Sequence, residues 1–213
     1  MASSSLPPDP GSTDGTPRAA LVGVGVLALA ALVLVVLSLR RPELPEYAPT
    51  PTDGAVADSV GPGAHLLTVD ASSPESWRYA DLARGTVVDD PSTGWDLAFR
   101  RFEVRVNGGA GSNGMGGAVD LGDVPLDSVS SLPVDGYRGM EASGRDTTNA
   151  VLDHWYTYSY TTHVLTPKDR TLAVRTRDGR KVALRFMSYY CPGAEPGCVT
   201  VRYRFVESAG ASD

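Results

Sequence analysis

The 213-residue sequence predicts an all-β protein, mainly antiparallel, with one N-terminal transmembrane helix. Three observations carry this. An uncharged apolar run fills residues 19–39, apolar and polar residues alternate in period two from about His65 to Val206, and turn residues of the Asp-Gly kind punctuate the alternating runs.

Residues 1–18 are polar and rich in Pro, Gly and Ser, and are expected to form a disordered tail. The run AALVGVGVLALAALVLVVLSL follows, and a helix of that length rises about 30 Å, the thickness of a hydrocarbon core. Arg40-Arg41-Pro42 succeeds it in place of a small-residue cleavage site, and no cysteine stands there to accept lipid, so it is expected to be an uncleaved anchor. Residues 40–64 read as a Pro-rich stalk, 65–207 as the β domain and 208–213 as a tail.

Within the domain, Trp95, Leu97 and Phe99 alternate in one parity and Phe102, Val104 and Val106 in the other, which predicts a β-bulge near Arg100-Arg101. Gly109, Gly111 and Gly114 spell G-x-G-x-x-G. A dinucleotide cradle would need a helix to start there, and the segment from Ala118 to Pro125 carries two helix breakers and no helical spacing, so a connecting loop without nucleotide is expected. Asp146 is expected to cap a short helix over Thr147 to Asp153. A strand then places Tyr156, Tyr158 and Tyr160 on one face. Leu172–Thr176, Val182–Phe186 and Val199–Phe205 form a C-terminal meander, with Asp178-Gly179 as a hairpin turn.

Cys191 and Cys198 end a short loop between two strands, which favours a disulfide over a metal pair or two idle thiols, because no further ligand lies nearby in sequence. Such a bond persists in an oxidising compartment. The expected location is therefore the cell membrane, held by a single pass with the bilayer as partner, and with the C-terminal domain outside the cytoplasm. The net charge of −6, a pI near 5.0 and the lack of a basic stripe exclude nucleic acid as a partner. No G-x-S-x-G, H-E-x-x-H or C-x-x-C frame is present, and an enzyme is not expected. Asp120, Asp123 and Asp127 form an acidic loop that could hold a cation or simply be solvated.

SWRYADLARG from Ser76, GWDLAFRRFEVRVNGGAG from Gly94, WYTYSYTTHVLTP from Trp155, VRTRDGRKVALRFMSYYC from Val174 and CVTVRYRF from Cys198 together resemble the HmuY family. The resemblance covers roughly residues 65 to 206. It implies an extracytoplasmic β domain of a kind whose founding member is a haem-binding surface lipoprotein for iron acquisition, with haem as cofactor and haem or a haem-carrying protein as partner. The alternative is a non-enzymatic structural or adhesive cell-surface module without haem. Two departures stand out. The family's lipid-bearing cysteine is absent, and the founding member's two iron-ligating histidines have no match by motif.

Haem iron takes one or two axial ligands, usually His and sometimes Met, in an apolar pocket. Of the three histidines, His65 opens the domain, His154 ends the expected helix, and His163 follows the tyrosine-bearing strand. His163 and His154 are the candidate haem-binding pair, with His163 preferred. Met115 and Met140 are the alternative axial groups.

Overall fold

The computed structural model describes residues 18–39, 43–52 and 61–206. Of the expected N-terminal tail, 1–18, all but Arg18 lies outside these, as do residues 40–42 and 53–60 of the expected stalk and the expected C-terminal tail, 208–213. The chain divides into two compact units, residues 1–42 and 43–213.

The first unit contributes helix α1, Arg18–Leu39. Among the described residues no helix is long and apolar enough to cross a membrane. The expectation of a transmembrane helix is thereby corrected, and with it the single-pass placement in the cell membrane.

The second unit is mainly antiparallel β, as predicted. In chain order its strands are β1 His65–Asp70, β2 Arg78–Asp81, β3 Thr86–Val88, β4 Leu97–Arg100, β5 Glu103–Val106, β6 Gly117–Gly122, β7 Glu141–Ser143, β8 Asp146–Thr148, β9 Tyr156–Tyr158, β10 Leu165–Pro167, β11 Thr171–Arg175, β12 Lys181–Cys191 and β13 Glu195–Phe205. They form a five-stranded sheet ordered β1-β13-β12-β11-β6, a four-stranded sheet ordered β3-β2-β4-β5, and the two hairpins β9-β10 and β7-β8. Both large sheets contribute to one core. Leu67, Val174, Leu184, Val201 and Tyr203 come from the first, and Ala80, Leu97, Phe99 and Val104 from the second.

The C-terminal meander forms where the alternation placed it. Gly179, at φ 89°, closes the β11-β12 turn, a left-handed backbone that costs glycine little. The Thr176 N–H donates to Arg180 O at 2.8 Å across that turn. Cys191 and Cys198 are bonded across the β12-β13 hairpin. On β13 the residues Val199, Val201 and Tyr203 are buried, and so is Thr200 on the opposite face. On the outer face of the sheet Leu126 and Val129, with Leu121, Val124 and Leu132 beside them, pack against Ala183, while Thr200 bonds to the Thr68 hydroxyl at 3.0 Å.

Two local expectations are corrected. The parity change at Arg100-Arg101 is a hairpin turn, with Arg101 at φ 54° and β4 folding back onto β5 from the pair Arg100–Glu103. The helix expected over 147–153 is instead strand β8 followed by a 3-10 turn, Leu152–His154. Asp146 caps no helix; it pairs with Arg105, and the β-branched Thr147 and Thr148 suit the extended backbone.

The glycine loop runs directly into β6, so no helix follows it. Its backbone is instead packed tightly. A Cβ on Gly108 would stand 2.0 Å from Gly116 O, so that position accepts only glycine.

A buried polar knot ties the two large sheets together. The Asp96 carboxylate accepts the N–H groups of Leu82 and Arg177, each at 2.9 Å, and the Arg177 guanidinium reaches Asp81 at 3.1 Å. Burial pushes the Asp96 carboxyl above the usual carboxylate range. Burial acts the same way on Asp81 but is outweighed by the Arg84 N–H and the Arg177 and Arg84 side chains, which hold it below that range. The fully buried Tyr203 hydroxyl donates to Leu82 O at 2.8 Å, and burial, with Asp81 and Asp96 adding to it, drives its ionisation far above that of a free tyrosine.

Residues 43–52 lie against this unit. The Thr50 N–H donates to Thr68 O at 2.8 Å on the outer edge of β1, and Thr52 bridges to Val87 on the outer edge of β3. Leu44 packs on the main core.

Candidate functional site

The site is assembled around the 3-10 turn that ends in His154. Asn149, fully buried, sets that turn. Its side-chain oxygen accepts the N–H groups of Val151 and Leu152 at 3.0 and 3.1 Å, and its amide donates to Arg138 O and Gly139 O at 2.8 and 3.0 Å. Asp153 accepts from the Asn149 N–H at 3.1 Å and from the Thr148 hydroxyl. The turn is thereby fixed at both ends.

Trp155 follows, 4 % exposed, stacked on Phe186 with ring centroids 4.4 Å apart. Its indole N–H donates to Phe102 O at 2.9 Å, which leaves the ring no rotational freedom. Trp155 and Phe186 line a cavity of about 360 Å³ together with Val151, His154, Leu172, Lys168, Arg170 and Asp120. Arg170 is held by Asp120 at 2.6 Å. The volume lies within the range of roughly 300–1,000 Å³ common for small-molecule sites.

The two candidate histidines occupy different places. His154 lines this cavity and His163 does not. His163 sits in the β9-β10 loop at φ 56°, with Nδ1 2.7 Å from the Tyr158 hydroxyl, so Nε2 is the nitrogen left to act. His65 lies on β1 with Nε2 2.7 Å from Gly61 O. The methionines also separate: Met140 is buried and its sulfur accepts the Val106 N–H at 3.5 Å, whereas Met115 is exposed in the glycine loop. The acidic loop resolves into ion pairs, Asp120 with Arg170, Asp123 with Arg185 and Asp127 with Arg202. Among the described residues no cluster of three or more His, Cys, Asp or Glu could hold a metal ion.

Sequence reasoning missed most of the cavity lining. Trp155, Phe186, Lys168 and Arg170 come from three separate stretches with no shared motif. Asn149 had a readable signal, an Asn two and three residues ahead of the amides it caps, but Asp146 competed for the same role.

The structure is thus an antiparallel β domain with an imidazole, two aromatic side chains, two cations and one carboxylate around a single cavity. The family model described as HmuY protein matches residues 73–203, and the chain belongs to that family. No curated protein matches the chain. Among solved structures, the apo HmuY analog of Tannerella forsythia is 18 % identical and aligns over 71 % of this chain and 100 % of its own, with a TM-score of 0.55. A candidate HmuY-like heme binding protein from Bacteroides vulgatus is 19 % identical over 66 % of this chain and 91 % of its own, at 0.52. A candidate lipoprotein from Bacteroides fragilis is 21 % identical over 78 % and 100 %, at 0.57. At these identities the likeness is one of fold.

Proposed function

We propose that the β domain, residues 65–207, binds haem or a similar flat ligand with an apolar body and an acidic edge, in a non-catalytic role in iron acquisition. Family membership supports the ligand class. The observation that carries the reading is His154 in the lining of a cavity shared with Trp155, Phe186, Lys168 and Arg170.

The residues fit the group. Trp155 and Phe186 supply apolar surface at the cavity, the imidazole offers a nitrogen to iron, and Lys168 suits a carboxylate, the charge of Arg170 being met by Asp120. His154 is the ligand within the cavity. His163, outside this cavity, is the alternative imidazole, its Nδ1 engaged by Tyr158 in the manner that orients a metal-binding ring. Bound haem would supply the iron chemistry, while the chain supplies binding, orientation and exclusion of water.

Haemin titration followed through the Soret band tests this. His154→Ala should weaken binding more than tenfold, a loss above about 1.4 kcal/mol. His163→Ala should leave the haemin spectrum unchanged, since His163 does not line the cavity. A wild-type protein that leaves the haemin spectrum unchanged would refute the reading in favour of a structural or adhesive module without haem.

A further inference from the structure

A second cavity, of about 200 Å³, lies beneath the glycine loop against the four-stranded sheet. Trp77, Tyr79 and Trp95 line it, Gly111 and Ser112 border it from the loop, and Thr147 closes one side. The Tyr79 and Trp95 rings stand 5.3 Å apart. The Ser112 hydroxyl oxygen is buried with no hydrogen-bond partner among the described residues. A buried hydroxyl in that condition costs stability unless something else satisfies it.

The local charge is already balanced. Arg100 and Arg105 lie over the Trp77 ring, 4.7 and 4.1 Å from its centroid, and are paired with Glu103 and Asp146. A cation would meet the guanidinium of Arg105, which lines the cavity, and an anion would have to displace a carboxylate. The volume is below the roughly 300 Å³ at which drug-sized sites begin. What remains is a small neutral body with an apolar face for the Tyr79 and Trp95 rings and hydroxyls for Ser112 and Thr147. We propose that this cavity binds the single ring of a neutral sugar.

The inference is independent of haem. The three tryptophans divide between the cavities, with Trp155 in the first and Trp77 and Trp95 in the second. The full chain labelled with fluorotryptophan, its three fluorine resonances assigned by single Trp→Phe variants, is titrated with the methyl glycosides of glucose, galactose and mannose. At least one should shift Trp77 and Trp95 saturably, with Kd on the order of 1 mM, and leave Trp155 unmoved. Ser112→Ala should weaken that binding roughly three- to tenfold with the three-resonance pattern retained. The proposal is overturned if all three glycosides leave Trp77 and Trp95 unmoved, or if Ser112→Ala binds like wild type. Haemin acting at Trp77 and Trp95 would assign this cavity to haem and also overturn it; haemin acting at Trp155 alone bears only on the first cavity.

Discussion

Tyr203→Phe isolates one hydrogen bond and one titration in a single buried atom. The hydroxyl is removed from a fully buried ring, leaving Leu82 O without that donor. At neutral pH the variant should be less stable by about 1 kcal/mol, the usual net worth of such a bond. Alkaline solution reverses the order. Because the folded-state ionisation of Tyr203 is raised far above the free value, its contribution is intact below the unfolded value of about 10 and is lost as pH rises beyond it. At pH 11 an unfolded chain would gain about 1.4 kcal/mol from releasing this proton while the folded chain keeps it. Wild type gives up that amount and the phenylalanine variant does not, so their stability curves should cross between pH 10 and 11. Urea unfolding of both proteins at half-unit steps from pH 7 to 11 measures this. A gap that stays constant or widens with pH would refute the assignment of a buried, neutral, hydrogen-bonded phenol.

Two further outcomes follow from the disulfide and from Asn149. Replacing Cys191 and Cys198 with Ala should cost about 2.5 kcal/mol, the loop-closure value for a bridge across this short hairpin, read as a lower urea midpoint that reductant no longer moves. Asn149→Ala should cost about 1–3 kcal/mol, since two carbonyls and two amides lose their partner, and should also weaken haemin binding by releasing the turn that carries His154. Circular dichroism melting and the Soret titration read the two effects separately.

Legibility followed the range of each interaction. Asp178-Gly179 announced its hairpin because the turn needs a positive φ that one residue supplies. The glycine loop was readable as no nucleotide cradle because its flank alone decided the matter. The turn at Arg101 was missed since Phe102 continued an apolar alternation, and a parity change looks the same whether the strand bulges or doubles back. The false helix at 147–153 came from a capping residue whose carboxylate was already committed to Arg105, a contact 41 residues away. The cavity beside His154 had no local signature at all, as Asp120, Trp155, Arg170 and Phe186 meet only when four elements are folded.

The segment 43–52 decides where this domain can be cut. Composition places the domain's start at residue 65, yet Thr50 satisfies the free edge of β1 and Thr52 meets that of β3. A fragment trimmed at 65, by a protease or by an experimenter guided by composition, would bare both edges at once. Unpaired edges recruit strands from neighbouring molecules. A domain cut at residue 65 is therefore expected to self-associate more than one that keeps residues 43–52.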